Sequence, residues 1–524
     1  MARITYNSIN IDLSGWTDFQ VTPRQRRFVS QSDSGKVETY NFYNQKFIEA
    51  NRNNWTPEEK EQLRAFFEYA RDGSTFSIER DRNLGCAISF EGKSLKTNDG
   101  TDGTFTRTHV ANADSYLNRS SGLLEYAGAA DTPRHPAGKY GDGVLIEGAR
   151  INYCGRSESF AHADWVDVGT SITQTDGTSD TLDPFGGSNA SKIEITSAGG
   201  VLKYVSGQAG TTTDSVFSLW MKNAVGDESN IDIGISDDSS TKATNEITMT
   251  PDWQRFNVAY NNPGGGGGFH TALIGTDVNQ VATFYVYGAQ LEVAAANLLF
   301  PSQYIQSDAG GTVTRNLDLL RYPAANIVNQ EKGTIAFWMK NPYAGQSSSG
   351  HWVFNSGTDG TNQHIGYYHT TTSHQLRMDD GSGTVRPSVG GALAQTADTW
   401  HHYVIVYDAF NDTHATRNLL LYVDGTLFDD NGATAPFNPD AVGTNFSFGC
   451  NTYDNSAVNY AMFDDIIIRK DVKDATWVSE VYNGLRKYKG QNRFSSVRLT
   501  DPDDAAKWIL GDLFEGTIKC EEVL

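Results

Sequence analysis

The sequence predicts a mainly β protein, with a discontinuous α+β end domain and two tandem β-sandwiches of jelly-roll type inserted into it. Three observations lead there. Residues 217–223 read FSLWMKN and residues 335–341 read IAFWMKN, nearly the same apolar strand written twice. Gly is frequent, at 51 residues, and with Ser, Thr, Asn and Asp it separates short alternating segments, as tight turns separate strands. Charge divides the chain in three. Residues 1–95 carry 13 basic and 13 acidic side chains and residues 486–524 carry 7 of each, whereas residues 96–485 carry 22 and 43, the whole of the net −21. Neutral ends around an acidic middle mark a boundary at both places. The domains drawn from this are 1–95 with 486–524, a linker or strap at 96–154, a first sandwich at 155–314 and a second at 315–485.

The end segments read as two incomplete halves. ARITYNSINIDLSGW and VETYNFYNQKFIEA have strand-like alternation around Tyr40, Phe42 and Tyr43. NWTPEEKEQLRAFFEYARDG predicts a helix: Thr56 caps it, Pro57 takes the first position and Glu59 completes a capping box. Leu63, Phe66, Phe67 and Ala70 form its apolar stripe, and Gly73 ends it. STFSIER is a further strand. The last segment offers a strand at Val497–Leu499, a short helix opened by Pro502 with Trp508 and Ile509 on its apolar face, and a closing strand in GTIKCEEVL. Neither half buries a core alone; together they make a reasonable domain.

The repeated strand extends to three. DWQRFNVAY (252–260) pairs with TWHHYVIVYD (399–408), and ATFYVYGAQLE (282–292) with NYAMFDDIIIRKD (459–471), in the same order. Alternating apolar and polar residues fit sandwich strands with one buried face. Trp220 and Trp338 are therefore read as core.

Composition excludes several functions. An acidic chain lacks the basic footprint of nucleic-acid binding. No run of 18 apolar residues exists, so no membrane insertion is expected. MARITYNSINIDLSG has no apolar core of a secretory signal, and Cys86, Cys154, Cys450 and Cys520 never form C-x-x-C. These point to a product of a reducing cytoplasm, without a disulfide framework. No G-x-S-x-G, no H-E-x-x-H and no E-x-D-x-x-E carboxylate pattern is present, and GGGGG at 264–268 lacks the Lys of a phosphate cradle. The chain is expected not to be an enzyme.

Three resemblances add to this. FFEYARDGSTFSIERD with WILGDLFEGTIKCEEV resembles phage tail proteins, in particular the belt domain of distal tail (Dit-like) proteins. The line from Gly143 to Glu147, Arg150, Asn152, Ser159, Phe160 and Trp165 resembles a module of phage structural proteins, as does the line Gly288–Glu292, Pro301, Tyr304, Ile305 and Thr312–Arg315. That module is a jelly roll similar to carbohydrate-binding modules. Trp400, His402, Val404, Val406, Asp408, Tyr422–Gly425, Asp464, Asp465 and Ile468 resemble the concanavalin A-like, laminin-G-type lectin fold.

The resemblances imply a virion protein of a phage tail tip, made in the host cytoplasm. It would assemble with itself as a ring, hexameric by preference, contact other tail proteins and display its sandwiches to host-surface glycans. The alternatives are a trimeric tail fibre or spike, a polysaccharide depolymerase, or a decoration without ligand. Sugar sites use exposed aromatics to stack rings and polar groups to fix hydroxyls. The candidates are Asp359, Asn362, His364, Tyr367, Tyr368 and Tyr453, with Tyr367 and Tyr368 on opposite faces if they share a strand. By analogy with the lectin fold, Asp359, Asp454 and Asp464 are the candidates for calcium (Ca2+).

Overall fold

A computed structural model describes residues 84–484 apart from short segments, chiefly 225–229, 262–268, 276–280, 343–350, 358–362 and 452–457. Outside that span it describes the backbone of seven strands. The helices expected at 56–73 and after Pro502 lie outside the described residues. Among the described residues the chain is mainly β, with one α-helix, Ala475–Tyr482. No described helix is long and apolar enough to cross a membrane.

The seven terminal strands form one sheet. Its order runs Ile9–Asp12, Arg3–Tyr6, Phe76–Glu79, Arg493–Leu499, Glu515–Glu522, Val37–Asn53, Thr17–Gln31. Two strands from the end of the sequence thus lie between strands from its beginning. Thr17–Gln31 and Val37–Asn53 pair from Thr17↔Asn51 to Gln31↔Val37. Glu515–Glu522 pairs with Val37–Asn53 only between Phe47 and Asn53. Residues 23–31 and 37–46 therefore continue past the third strand as a two-stranded arm.

The first sandwich packs two five-stranded sheets. One holds Trp165–Val168, Val201–Ala209, Phe269–Ile274, Asn230–Asp237 and Ser240–Thr248; the other holds Ile172–Thr175, Ser191–Ile195, Ala282–Ala294, Asp214–Asn223 and Gln254–Tyr260. Their inner faces share one core, including Phe217, Leu219, Met221, Ile233 and Phe284.

The second sandwich draws strands from outside the expected bounds. Leu84–Ile88 and Val144–Ile146 both pair with Ala461–Arg469, and Thr104–Thr106 pairs with Leu319–Pro323. Cys86, Ile88, Phe105, Val144 and Ile146 belong to the same core as Ile335, Phe337 and Phe354. The segment 96–154 thus gives strands to the second sandwich, while Cys154 lies in the core of the first and Leu124 packs on its Trp220, and residues 84–88 pair with the second sandwich. The physical reason is the open flanks: strands ending a sheet bare their backbone groups, and these three segments cover them.

The repeat is a repeat in three dimensions. Trp220 lies opposite Arg255 and Tyr287; Trp338 lies opposite His402 and Asp464. Both ladders slip at the same step, between Ser218 and Trp220 and between Ala336 and Trp338. The extra residue has positive φ in both copies, Gly288 at 66° and Asp465 at 44°, as a bulge demands. Both tryptophans are buried, at 8% and 5% exposed, yet they sit outside the inter-sheet core. Leu124, Tyr287 and Tyr304 cover Trp220. Lys139 stands 4.7 Å from the Trp338 ring, with Tyr140 and Tyr482 beside it.

The two module lines of the sequence meet in one buried knot. Asn152 donates to the carbonyls of Ala289 and Ile305 and accepts from the amides of Cys154 and Leu291. Glu147 pairs with Arg134 and Arg315, and Asp318 with Arg107 and Arg134. Arg107 also meets Asp114 at 3.2 Å, and Glu292 accepts from both the amide and the hydroxyl of Ser302. Burial alone would raise the Glu147 carboxyl, but Arg315 and Arg134 outweigh it and hold it at about 2. Removing one member leaves buried opposite charges. Glu147→Ala should cost roughly 3–5 kcal/mol in denaturant unfolding, against less than half that for an exposed pair such as Lys332–Asp412.

Candidate functional site

The second sandwich presents one sheet outward. Its order is Val385–Gly391, His374–Asp379, Gln363–His369, His351–Gly357, Asn445–Phe448, Leu319–Pro323, Thr104–Thr106. Leu320, Phe448, Phe354, Tyr367, Leu376 and Met378 fill the inner face. Alternation then puts their neighbours on the other face. One continuous row crosses six of the strands there: Thr104, Arg321, Ser447, Asn355, Gly366, Arg377.

An aromatic step flanks this row. Trp352 lies opposite Tyr368, with ring centroids 4.9 Å apart. The Arg377 guanidinium sits 5.0 Å from the first ring and 5.3 Å from the second. The indole lies on the sheet because residue 366 is glycine: a Cβ there would come within 2.4 Å of the Trp352 ring. Tyr368, Arg377, Arg321 and Gln375 are half-buried, whereas Trp352 is buried at 8% exposed, so solvent reaches the tyrosine and the guanidinium of the step. Ser447 Oγ is fully buried with no hydrogen-bond partner. The face therefore presents the Tyr368 ring and the guanidiniums of Arg377 and Arg321, with Asn355 and Ser447 buried beneath.

The sequence-chosen residues divide sharply. Tyr368 is in the step. Tyr367 faces the core at 0% exposed, hydrogen-bonded to His374, so the adjacent tyrosines do take opposite faces. His364 is also 0% exposed, its ring held by the Gln330 carbonyl at 2.7 Å and Ser356 Oγ at 3.0 Å. Both are removed from a surface site, because the strand Gln363–His369 buries them. Asp359, Asn362, Tyr453 and Asp454 lie outside the described residues; Val458, just beyond the last two, bridges to Trp352.

Asp464 is 1% exposed and accepts from the amides of Tyr140, at 2.9 Å, and Asp465. It pins the 138–142 turn over Trp338. Among the described residues no three His, Cys, Asp or Glu side chains are placed to hold a metal. Sequence reasoning missed Trp352, Arg377, Asn355, Ser447 and Arg321, since only strand register brings them onto one face.

Residues 316–479 match the family model of the Concanavalin A-like lectin/glucanases superfamily. This stretch is a concanavalin A-like lectin-type β-sandwich domain. No curated protein matches the chain. Among solved structures, the receptor-binding domain of botulinum neurotoxin C/D mosaic serotype is similar at 14% identity and a TM-score of 0.27, over 32% of this chain and 40% of that one. The binding domain of botulinum neurotoxin DC in complex with rat synaptotagmin II is similar at 10% identity and a TM-score of 0.26, over 33% and 41%. The chain thus spans about two fifths of the structures it matches.

Titration follows from the burial. Desolvation pulls His364, His374 and His402 down to about 4 from 6.5. The unfolded chain takes up these protons first, so their contribution is full above pH 6.5 and is lost as pH falls toward 4. Burial pushes Asp464 up to about 7 from 3.8, which works in the opposite sense: its penalty is relieved as pH falls from 7 to 4. Thermal melts between pH 7 and 4 should show an acid decline that is steeper in Asp464→Asn and shallower in His364→Gln.

Proposed function

We propose that this chain is a non-catalytic structural protein of a phage tail tip, which assembles through its terminal sheet and offers the open face of its lectin-type sandwich to host-surface glycans. The observation that carries the glycan half is the Trp352–Tyr368–Arg377 step, whose tyrosine ring and guanidinium are half-buried at the surface. Rings stack on sugar faces while polar groups take hydroxyls. The sequence contains no carboxylate pair of glycanase pattern, which favours binding over cleavage.

The assembly half is supported by the arm of residues 23–31 and 37–46. An isolated two-stranded ribbon is marginal in water, and an unpaired edge invites another strand. Residues 23–46 carry five basic and two acidic side chains, opposite in sign to the acidic middle of the chain. A ring would hold several weak sugar sites on one particle and so strengthen adsorption. Tail proteins above and below are the other partners of this reading, with the virion as its location.

Two measurements test it. Light scattering on the full chain should give a closed ring, six copies by preference, and replacing residues 24–45 with an Asn-Gly turn should give a monomer. A trimer would move the fibre reading ahead, and a monomeric full chain would remove the ring. On a glycan array, Tyr368→Ala should bind about tenfold more weakly than the unaltered chain. Release of reducing sugar would instead restore the depolymerase reading.

A further inference from the structure

The guanidiniums at the joint of the two sandwiches are unequally matched. Arg107, Arg134 and Arg315 share Asp114, Glu147 and Asp318 in direct ion pairs. Arg150 and Arg255 are served less well. Arg255 donates to the Ser302 carbonyl and the Ser218 hydroxyl, and burial carries it down to about 10. The carboxylate nearest Arg150 is that of Glu292, 3.8 Å from Nε, and it is turned to the amide and hydroxyl of Ser302. Arg150 is 4% exposed and comes from the strand Arg150–Asn152. Its guanidinium lies 5.2 Å from the Phe300 ring and 5.0 Å from the Tyr460 ring, both buried. Nη2 makes one long bond, 3.4 Å, to the Phe300 carbonyl. Nε and Nη1 are buried with no hydrogen-bond partner. Ring faces attract the charge but take no directed bond from these N–H groups, and a desolvated charged donor left unmade is costly.

We propose that Arg150 holds a small, weakly hydrated monovalent anion of the chloride class, enclosed at the joint. The orphan N–H groups donate to it, and its charge completes what Glu292 supplies only from a distance. The size and charge follow from the surroundings. Two open donors in a sealed, partly aromatic setting suit one negative charge. A phosphate or sulfate would bring two charges and four oxygens, and most of its oxygens would stay without donors. A carboxylate on a longer molecule needs an opening, which residues as buried as Arg150, Phe300 and Tyr460 do not offer. Phe300 follows the last strand of the first sandwich, and Tyr460 directly precedes the strand Ala461–Arg469 of the second. The anion would therefore bind only where the two modules are docked. The unfolded chain has no such enclosure, so the anion adds to folding stability by mass action.

The test uses the full chain, first dialysed into fluoride and then moved into chloride, bromide or nitrate at constant ionic strength and pH. The melting temperature should rise by about 2–4 °C from fluoride to each of the other three. Arg150→Met should abolish that rise, whereas Lys332→Met, which breaks an exposed ion pair, should keep it. A rise that persists in Arg150→Met is a general salt effect and would overturn the site. Crystals of the unaltered chain grown in bromide give a reading that does not depend on any variant folding. An anomalous peak within hydrogen-bond reach of Arg150 Nη1 is expected. Density for water alone there, with no anomalous signal, would overturn the proposal. So would a bromide peak with no melting shift in solution, which is binding at crystal concentration only.

Discussion

The buried knot at the meeting of the two sandwiches is the constraint on which the rest of the structure depends. Arg107, Arg134 and Arg315 have lost their water, and so have Asp114, Glu147 and Asp318. Each such ion costs several kcal/mol to desolvate, so the arrangement holds only while every partner is present. Those partners come from distant places in the chain: positions 107–147 on one side, 315–318 on the other. The same segment contributes Thr104–Thr106 and Val144–Ile146 to the second sandwich. Ionic satisfaction and strand pairing thus fix the segment together. A hydrophobic joint could slide; a joint of paired charges has one register.

The two copies of the repeated strand show what is kept and what is free. Kept are the three-strand frame, the ladder slip beside each tryptophan and the left-handed residue that makes it possible. The outer cover of each tryptophan is free. Over Trp220 it is Leu124 and Tyr304; over Trp338 it is Lys139, Tyr140 and the helix residue Tyr482. A tryptophan on the outer face of a sheet needs a lid, and each copy has recruited its own. This places the tryptophans among buried residues, but as anchors for the segments that cross them. The core between the sheets belongs to their neighbours Leu219 and Phe337.

The open face of the second sandwich owes its character to one absent side chain. Glycine at 366 lets the Trp352 indole lie against the sheet beside Tyr368 and Arg377. On the opposite side of the same strands, Phe354, Tyr367 and Leu376 are fully buried. Adjacent tyrosines therefore serve opposite purposes, and the pleat alone separates them.

What the sequence by itself determined is local. Alternation located the strands, the doubled FSLWMKN and IAFWMKN located equivalent strands, and the Tyr367–Tyr368 pair announced two faces. The motif lines around Glu147, Arg150, Asn152 and Gly288–Arg315 marked residues that do meet, without saying where. Tertiary structure alone decided the rest. It put Leu84–Ile88, Thr104–Thr106 and Val144–Ile146 into the second sandwich, because an edge is completed by whichever strand reaches it in space. It buried His364, which in the sequence is one polar residue in a polar stretch. It also aligned Arg321, Ser447, Asn355, Gly366 and Arg377, residues scattered over more than a hundred positions of sequence. Period and propensity act between near neighbours. Register between strands is set by long-range pairing, and a face built across strands is visible only once that register exists.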